Sequence, residues 1–252
     1  MTPVVEWQKI ARMGAEETLM ARTYNQDCIL AHALDLLGER WTLLILRDLF
    51  LGPQRFGDLQ AGLPGIGANL LSKRLKELEE AGLIEPPGGV ARYRLTETGE
   101  KLRPTIRSLM KWSIMYFIER PESSPARECI YTDDLQPDSV ALAIEIFAAH
   151  CPEPETNYIA HLIIDDYPFT VYNMNGEMTV RRGADGPAVA TIVSDVATIM
   201  QSFRMELSLG EAKTRMKTSG DQKALAHLLK VIVHAESHES HEGHVKMLVA
   251  AS

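Results

Sequence analysis

The stretch LPGIGANLLSKRLKELEEAGLIEPPGGVARYRLTET, residues 63–98, decides the reading of the first half of the chain. After the turn at Leu63-Pro64-Gly65, the spacing of Leu71, Leu75 and Leu78 predicts a helix from about residue 67 to 81, with Gly82 where a helix terminates. At about 100° per residue, the face opposite those leucines carries Asn69, Ser72, Lys73 and Lys76, side chains that can reach base edges and phosphates. Arg74 falls nearer the buried flank, where it either bridges to the DNA backbone or braces the fold. Two short alternating segments around Pro86-Pro87-Gly88-Gly89 then predict a hairpin. Arg92 and Arg94 alternate with Tyr93 on its second strand and can both face phosphate or the minor groove. A single charged amphipathic helix is most often only a solvated surface. The ordered succession of short helix, turn, charged helix and cationic hairpin is what points to DNA.

Upstream, Leu34, Leu37, Trp41, Leu44, Ile45 and Leu49 recur at helical steps, with Gly38 dividing two helices and Gly52-Pro53 stopping the second. A short helix over residues 55–61 follows, and Arg55 at its start would lie where that helix crosses the DNA backbone. Downstream, Thr96 or Thr98 is placed to cap a helix running to about Ile118. Its residues Leu102, Ile106, Leu109, Trp112, Ile114, Met115 and Phe117 make an apolar surface wide enough to want a partner. RPESSPAR, residues 120–127, reads as a linker.

Beyond it the pattern changes. A helix over residues 137–150 precedes strand-like runs at 158–164, 169–173, 178–182 and 189–193, with Asp165-Asp166, Asn175-Gly176 and Asp185-Gly186 in the turns. Helices at about 195–202, 208–212 and 221–234 complete it. The fold class is α + (α+β): an N-terminal winged helix-turn-helix domain, residues 1–119, then an antiparallel sheet with helices packed on it, residues 128–235, and an acidic histidine-containing tail, residues 236–252.

Composition bounds the function. The 252 residues are 45% hydrophobic and 24% charged, with no run apolar enough to span a bilayer, and the opening MTPVVEWQKIARMGAEE is too charged for a signal peptide. A cytoplasmic chain without membrane partners is expected. The net charge of −8 is unevenly spread: residues 1–120 hold 16 Lys and Arg against 15 Asp and Glu, and the remainder 10 against 19. The first half can therefore face phosphate, whereas the second is repelled by it.

Residues 27–112 resemble the HxlR-type winged helix-turn-helix regulators, relatives of the MarR group. The motifs that carry the likeness are ALDLLGERWTLLILRDLFLGPQRFGDL, LPGIGANLLSKRLKELEEAGLI and YRLTETGEKLRP, in that order. The resemblance implies a homodimer built through terminal helices, a palindromic double-stranded DNA operator, and repression or activation controlled by a ligand or by redox state. It places Asn69, Ser72, Lys73 and Arg74 on the recognition helix and Arg92 and Arg94 on the wing, with Ala68 where relatives more often carry proline or serine. The segment from Tyr167 to about Leu229 resembles the sterol-carrier-protein-like domain fused to some of these regulators, which implies a pocket for a small apolar effector. Met174, Met178, Met200, Met205 and Met216 would suit an adaptable pocket, although each is more commonly plain core.

Three cysteines, Cys28, Cys129 and Cys151, form no CxxC pair. Cys28 stands where some of these regulators carry a redox-sensing thiol, and an inert thiol is the competing reading, since Asp27 opposes thiolate formation. His234, His238, His241 and His244 have spacing that could hold a transition metal, but a solvated tail accounts for them and no metal is assigned. No G-x-S-x-G or phosphate-binding loop is present, Gly65-Ile66-Gly67 is too short for a dinucleotide fingerprint, and Asp133-Asp134 and Asp165-Asp166 read as solvated turns. No catalytic residue, cofactor or enzymatic activity is expected. The competing class is a small-molecule or lipid carrier whose helix-turn-helix serves only dimerisation.

Overall fold

The computed structural model describes residues 23–87, 91–118, 135–149, 151, 156–204 and 206–233. Outside them lie the charged N-terminal opening, the hairpin tip at Gly88-Gly89, the linker of residues 120–127, Cys129, Asp133-Asp134, Met205 and the histidine tail; the side chains of Met115 and Phe117 are likewise outside the description. Contact density separates a first unit, Met1–Arg103, from a second, Pro104–Ser252.

In the first unit, α1 (Ile29–Leu37) and α2 (Thr42–Phe50) are divided at Gly38, as the apolar pattern predicts. The short α3 (Phe56–Gly62) and the longer α4 (Ala68–Glu80) follow. Ile45, Leu46, Leu59, Leu71 and Leu75 are at most 1% exposed and form the centre of the core. α4 ends in a left-handed cap: Gly82 has φ +67, its N–H donates to Glu79 O, and Leu83 N donates to Leu78 O. That reversal delivers β1 (Ile84–Glu85), which pairs antiparallel with β2 (Arg94–Leu95). The hairpin is shorter than the sequence pattern indicates, and Arg92 lies before its second strand.

The expected single helix from Thr96 to Ile118 is two. Thr96 caps the four-residue α5 (Glu97–Glu100), accepting from Gly99 N, and α6 (Arg103–Ile118) starts after a turn. The cause is Pro104: inside one continuous helix it would remove a hydrogen bond and drive its ring into the carbonyl of Glu100, whereas the first turn of a new helix tolerates it.

The second unit takes in α6 from Pro104 on and a five-stranded sheet with α7 (Pro137–Ala148), α8 (Val196–Phe203), α9 (Leu209–Arg215) and α10 (Gln222–Val233). Its strands are β3 (Tyr158–Ile164), β4 (Tyr167–Met174), β5 (Glu177–Arg182), β6 (Ala190–Ser194) and β7 (Lys217–Gly220), in the order β5-β4-β3-β6-β7. Two hairpins join β3 to β4 and β4 to β5; Asp165, Asp166, Asn175 and Gly176 all have positive φ, the geometry that such turns require. The sheet is mixed, not antiparallel as expected, because β6 pairs parallel with β3. Asp185-Gly186 is accordingly no hairpin turn. It sits in a crossover, residues 183–189, that carries the chain from β5 over β4 and β3 to β6.

One face of the sheet is dry: Ala160, Leu162, Ile164, Phe169, Val171, Val180 and Ile192 are fully buried there, as are Ile144, Ile199, Leu228 and Ile232 on the helices. Phe147 of α7 and Phe203 of α8 meet at 4.4 Å between ring centroids. The fully buried Glu145 of α7 accepts from Val180 N of β5 at 2.7 Å, supplying an acceptor on the side of β5 where, among the described residues, no strand pairs. His227 Nε2 donates to Cys151 O at 2.8 Å, and its Nδ1 is hydrogen-bonded to Tyr158 Oη at 2.9 Å. The opposite face carries Thr170, His161 and Thr191 in one row, and the crossover runs over it, with Gly183 O accepting from Thr170 Oγ1 and Asp185 N donating to that oxygen. Gly220 is required where the strap meets β7: it has φ +106, and a Cβ there would stand 2.2 Å from Val189 O.

Candidate nucleic-acid interface

The outward face of α4 carries the side chains that periodicity assigns to it. Asn69, Ser72, Lys73 and Lys76 are exposed, whereas Leu71, Leu75 and Leu78 are at most 2% exposed. Lys73 and Lys76 reach Glu77 and Glu80 at 3.8 and 3.6 Å, loose surface pairs one helical turn on that a phosphate can displace.

Arg74 departs from the cationic set. Its side chain is 8% exposed, against 63% and 71% for Lys73 and Lys76. Its Nε donates to Arg40 O at 3.3 Å, and its two terminal nitrogens pair with Glu77 and with Glu39. The position one step beyond Lys73 rotates it from the solvent face toward the start of α2, and of the two roles the sequence leaves open, a bridge to the DNA backbone or a brace of the fold, these contacts are those of a brace.

The wing is anchored by a contact that sequence reading missed. Gln54 and Tyr93 form an isolated antiparallel bridge, Gln54 N to Tyr93 O at 3.0 Å and Tyr93 N to Gln54 O at 2.8 Å. The Gln54 side chain also donates to Asp48 O at 3.2 Å. The base of the wing is thus tied to the link between α2 and α3, one residue from Arg55, which stands exposed at the N-cap of α3. Burial, followed by the Glu79 carboxylate, pushes the Tyr93 phenol above its ordinary range, so it stays neutral. Arg92 is exposed; Arg94 is exposed and paired with Glu85 across the hairpin. The sequence shows only a glutamine after Gly52-Pro53 and before a short helix, which period-based reading does not register.

Cys28 is an exposed free thiol at the N-cap of α1, and Cys151 is buried. Of the methionines considered as pocket lining, Met178, Met200 and Met216 are buried at 1%, 8% and 4% exposure, and Met174 is 40% exposed. Among the described residues no cluster of histidine, cysteine, aspartate or glutamate has the arrangement of a metal site, and no helix is long and apolar enough to cross a membrane.

Comparison with known proteins adds a family to this geometry. The sequence model of the HxlR-like helix-turn-helix family matches residues 36–121. An uncharacterised HTH-type transcriptional regulator of Mycobacterium tuberculosis is 40% identical over 129 residues, spanning 49% of this chain and 77% of its own length. The uncharacterised HTH-type regulator YvaP of Bacillus subtilis is 39% identical over 87 residues, spanning 32% of this chain and 80% of its own. Among solved structures, quinone-bound YodB of Bacillus subtilis is 37% identical and covers 33% of this chain and 93% of its own, with a TM-score of 0.31.

Proposed function

The chain belongs to the HxlR-like helix-turn-helix family, and from that premise we propose that it is a homodimeric DNA-binding transcriptional regulator that reads a palindromic operator. The observation that carries this reading is the exposed face of Asn69, Ser72, Lys73 and Lys76 on α4, in the unit that also exposes Arg55, Arg92 and Arg94. Asn69, Ser72 and Lys73 would enter the major groove, and Arg55, Lys76, Arg92 and Arg94 would hold phosphate. The second unit, with its acidic balance, stays off the duplex.

Dimerisation through terminal helices is supported by apolar side chains left in solvent. Ile29 and Leu30 of α1 are 90% and 66% exposed, and Leu109 and Trp112 of α6 are 48% and 60% exposed. Two copies would set recognition helices roughly 34–36 Å apart, one helical turn of DNA. We further propose residues 1–119 as the DNA-binding and dimerisation domain and residues 128–235 as the sterol-carrier-like sensing domain. A sheet packed on one face by helices, in a unit that also buries Met178, Met200 and Met216, is a setting in which a small apolar effector can be accommodated. The effector would act by binding two dimer geometries unequally. Cys28, exposed at a helix start, is the candidate for redox control.

The decisive experiment is enrichment of duplexes from a randomised library by the full chain, followed by binding titrations over about 50–200 mM salt. Sequence-selective binding that weakens steeply with salt is expected. Enrichment of no sequence would leave the carrier reading in its place.

A further inference from the structure

Resting on the DNA reading above, we propose that Arg74 is a positioning residue for operator recognition: without touching DNA, it locks α4 to the turn of residues 39–41 and so sets the angle at which Asn69, Ser72 and Lys73 are presented. A guanidinium offers several donors in a rigid planar fork, so it can span separate acceptors in a way a lysine ammonium cannot. Arg74 uses that fork across two elements. One acceptor, Glu77, is on α4 itself, and two, Glu39 and the carbonyl of Arg40, are on the turn that opens α2.

The same turn meets the recognition helix at a second point. Trp41 holds a left-handed backbone, φ +82, an unusual conformation for a bulky residue. A Cβ on Gly65 would lie 3.8 Å from Trp41 Cη2, which places the indole against the turn that leads into α4. The Arg40 guanidinium covers the indole at 5.0 Å from its ring centroid. Two contacts, one at the middle of α4 and one ahead of its N-terminus, fix a direction as well as a position. The reach of the lever is short. Asn69 lies five residues from Arg74, about 7.5 Å along the axis at about 1.5 Å per residue, so a tilt of roughly 10° moves it by about 1 Å. That displacement exceeds the tolerance of a hydrogen bond to a base edge. The charge of Arg74 is already met by two carboxylates, so it adds little to the field a phosphate would experience.

The test uses the full chain, a duplex enriched by the wild-type chain and a scrambled duplex of the same composition. Arg74→Lys keeps the charge and loses the fork; Glu39→Gln removes a negative charge from the domain that faces DNA. Both variants should lose about tenfold or more on the enriched duplex, the scale of one base contact, while keeping wild-type affinity for the scrambled duplex and the wild-type salt slope. For Glu39→Gln this is opposite in sign to simple electrostatics, under which binding would tighten on both duplexes. The inference is overturned if folded Arg74→Lys binds the enriched duplex like wild type, if Glu39→Gln tightens binding to both, or if Arg74→Ala flattens the salt slope by about 0.9, the signature of a lost phosphate contact. Should Arg74→Lys fail to fold, Glu39→Gln decides the matter alone. A wild-type chain that enriches no duplex overturns the DNA reading together with this inference; enrichment by wild type and by both variants alike overturns the inference only.

Discussion

Lys76 and Arg92 carry positive charge on long, exposed side chains, and the contribution proposed for them in DNA binding separates from that proposed for Asn69 by its salt dependence. Lys76→Ala and Arg92→Ala should each weaken binding to enriched and scrambled duplexes alike and reduce the slope of log affinity against log salt by about 0.9, measured by fluorescence anisotropy. Asn69→Ala should instead relax selectivity at one base pair, with a loss of about 1–3 kcal/mol on the enriched duplex and an unchanged slope. Helical periodicity placed Asn69, Lys73 and Lys76 outward, because the leucines at 71, 75 and 78 leave only one face to solvent. Periodicity left the place of Arg74 open, because the deciding partner, Glu39, stands 35 positions away. A 3.6-residue period says which way a side chain points and nothing about which distant loop waits there.

Elements in the second unit are held by local polar caps that can be tested one at a time. Asp195 accepts from Thr198 N at 2.7 Å and from Thr198 Oγ1 at 2.9 Å at the start of α8, so Asp195→Ala should cost about 1 kcal/mol in chemical denaturation. At α9, Glu211 accepts from Ser208 Oγ at 2.7 Å and from Ser208 N at 2.9 Å, and these bonds hold its carboxyl below the ordinary glutamate value of 4.5. A depressed folded pKa gives stability that is present above the ordinary value and is lost as pH falls through the lowered one. Ser208→Ala should therefore flatten the acid side of the thermal stability profile, a change visible below about pH 4.5. Element boundaries were legible where a chemical signal marks them, as with Asn175-Gly176 or the glycine after α4. The break between α5 and α6 is signalled by Pro104, which apolar spacing alone overrides. Strand order was not legible, because alternation reports faces and not neighbours: Asp185-Gly186 has the composition of a hairpin turn and lies in a parallel crossover.

At the scale of the whole molecule, the chain divides into two compact units. If copies associate through the exposed apolar side chains, Trp112→Glu should shift the sedimentation profile toward monomer and weaken operator binding, since each half-site alone offers about half the contacts. Phe169 is fully buried at the sheet's dry face, and Phe169→Ala should destabilise the second unit by about 3–5 kcal/mol in denaturant unfolding. An apolar effector that enters this unit should raise its melting temperature with ligand concentration, and the same compound should shift DNA affinity. The crossover of residues 183–189 has a separate consequence for how this unit is assembled and taken apart. Residues 184–187 are exposed, while the segments on either side of them are bound into neighbouring strands. Cleavage there would sever the covalent path between β5 and β6 yet leave β3 paired with β6, so the chain should survive as two fragments that co-elute and that reassemble when produced separately.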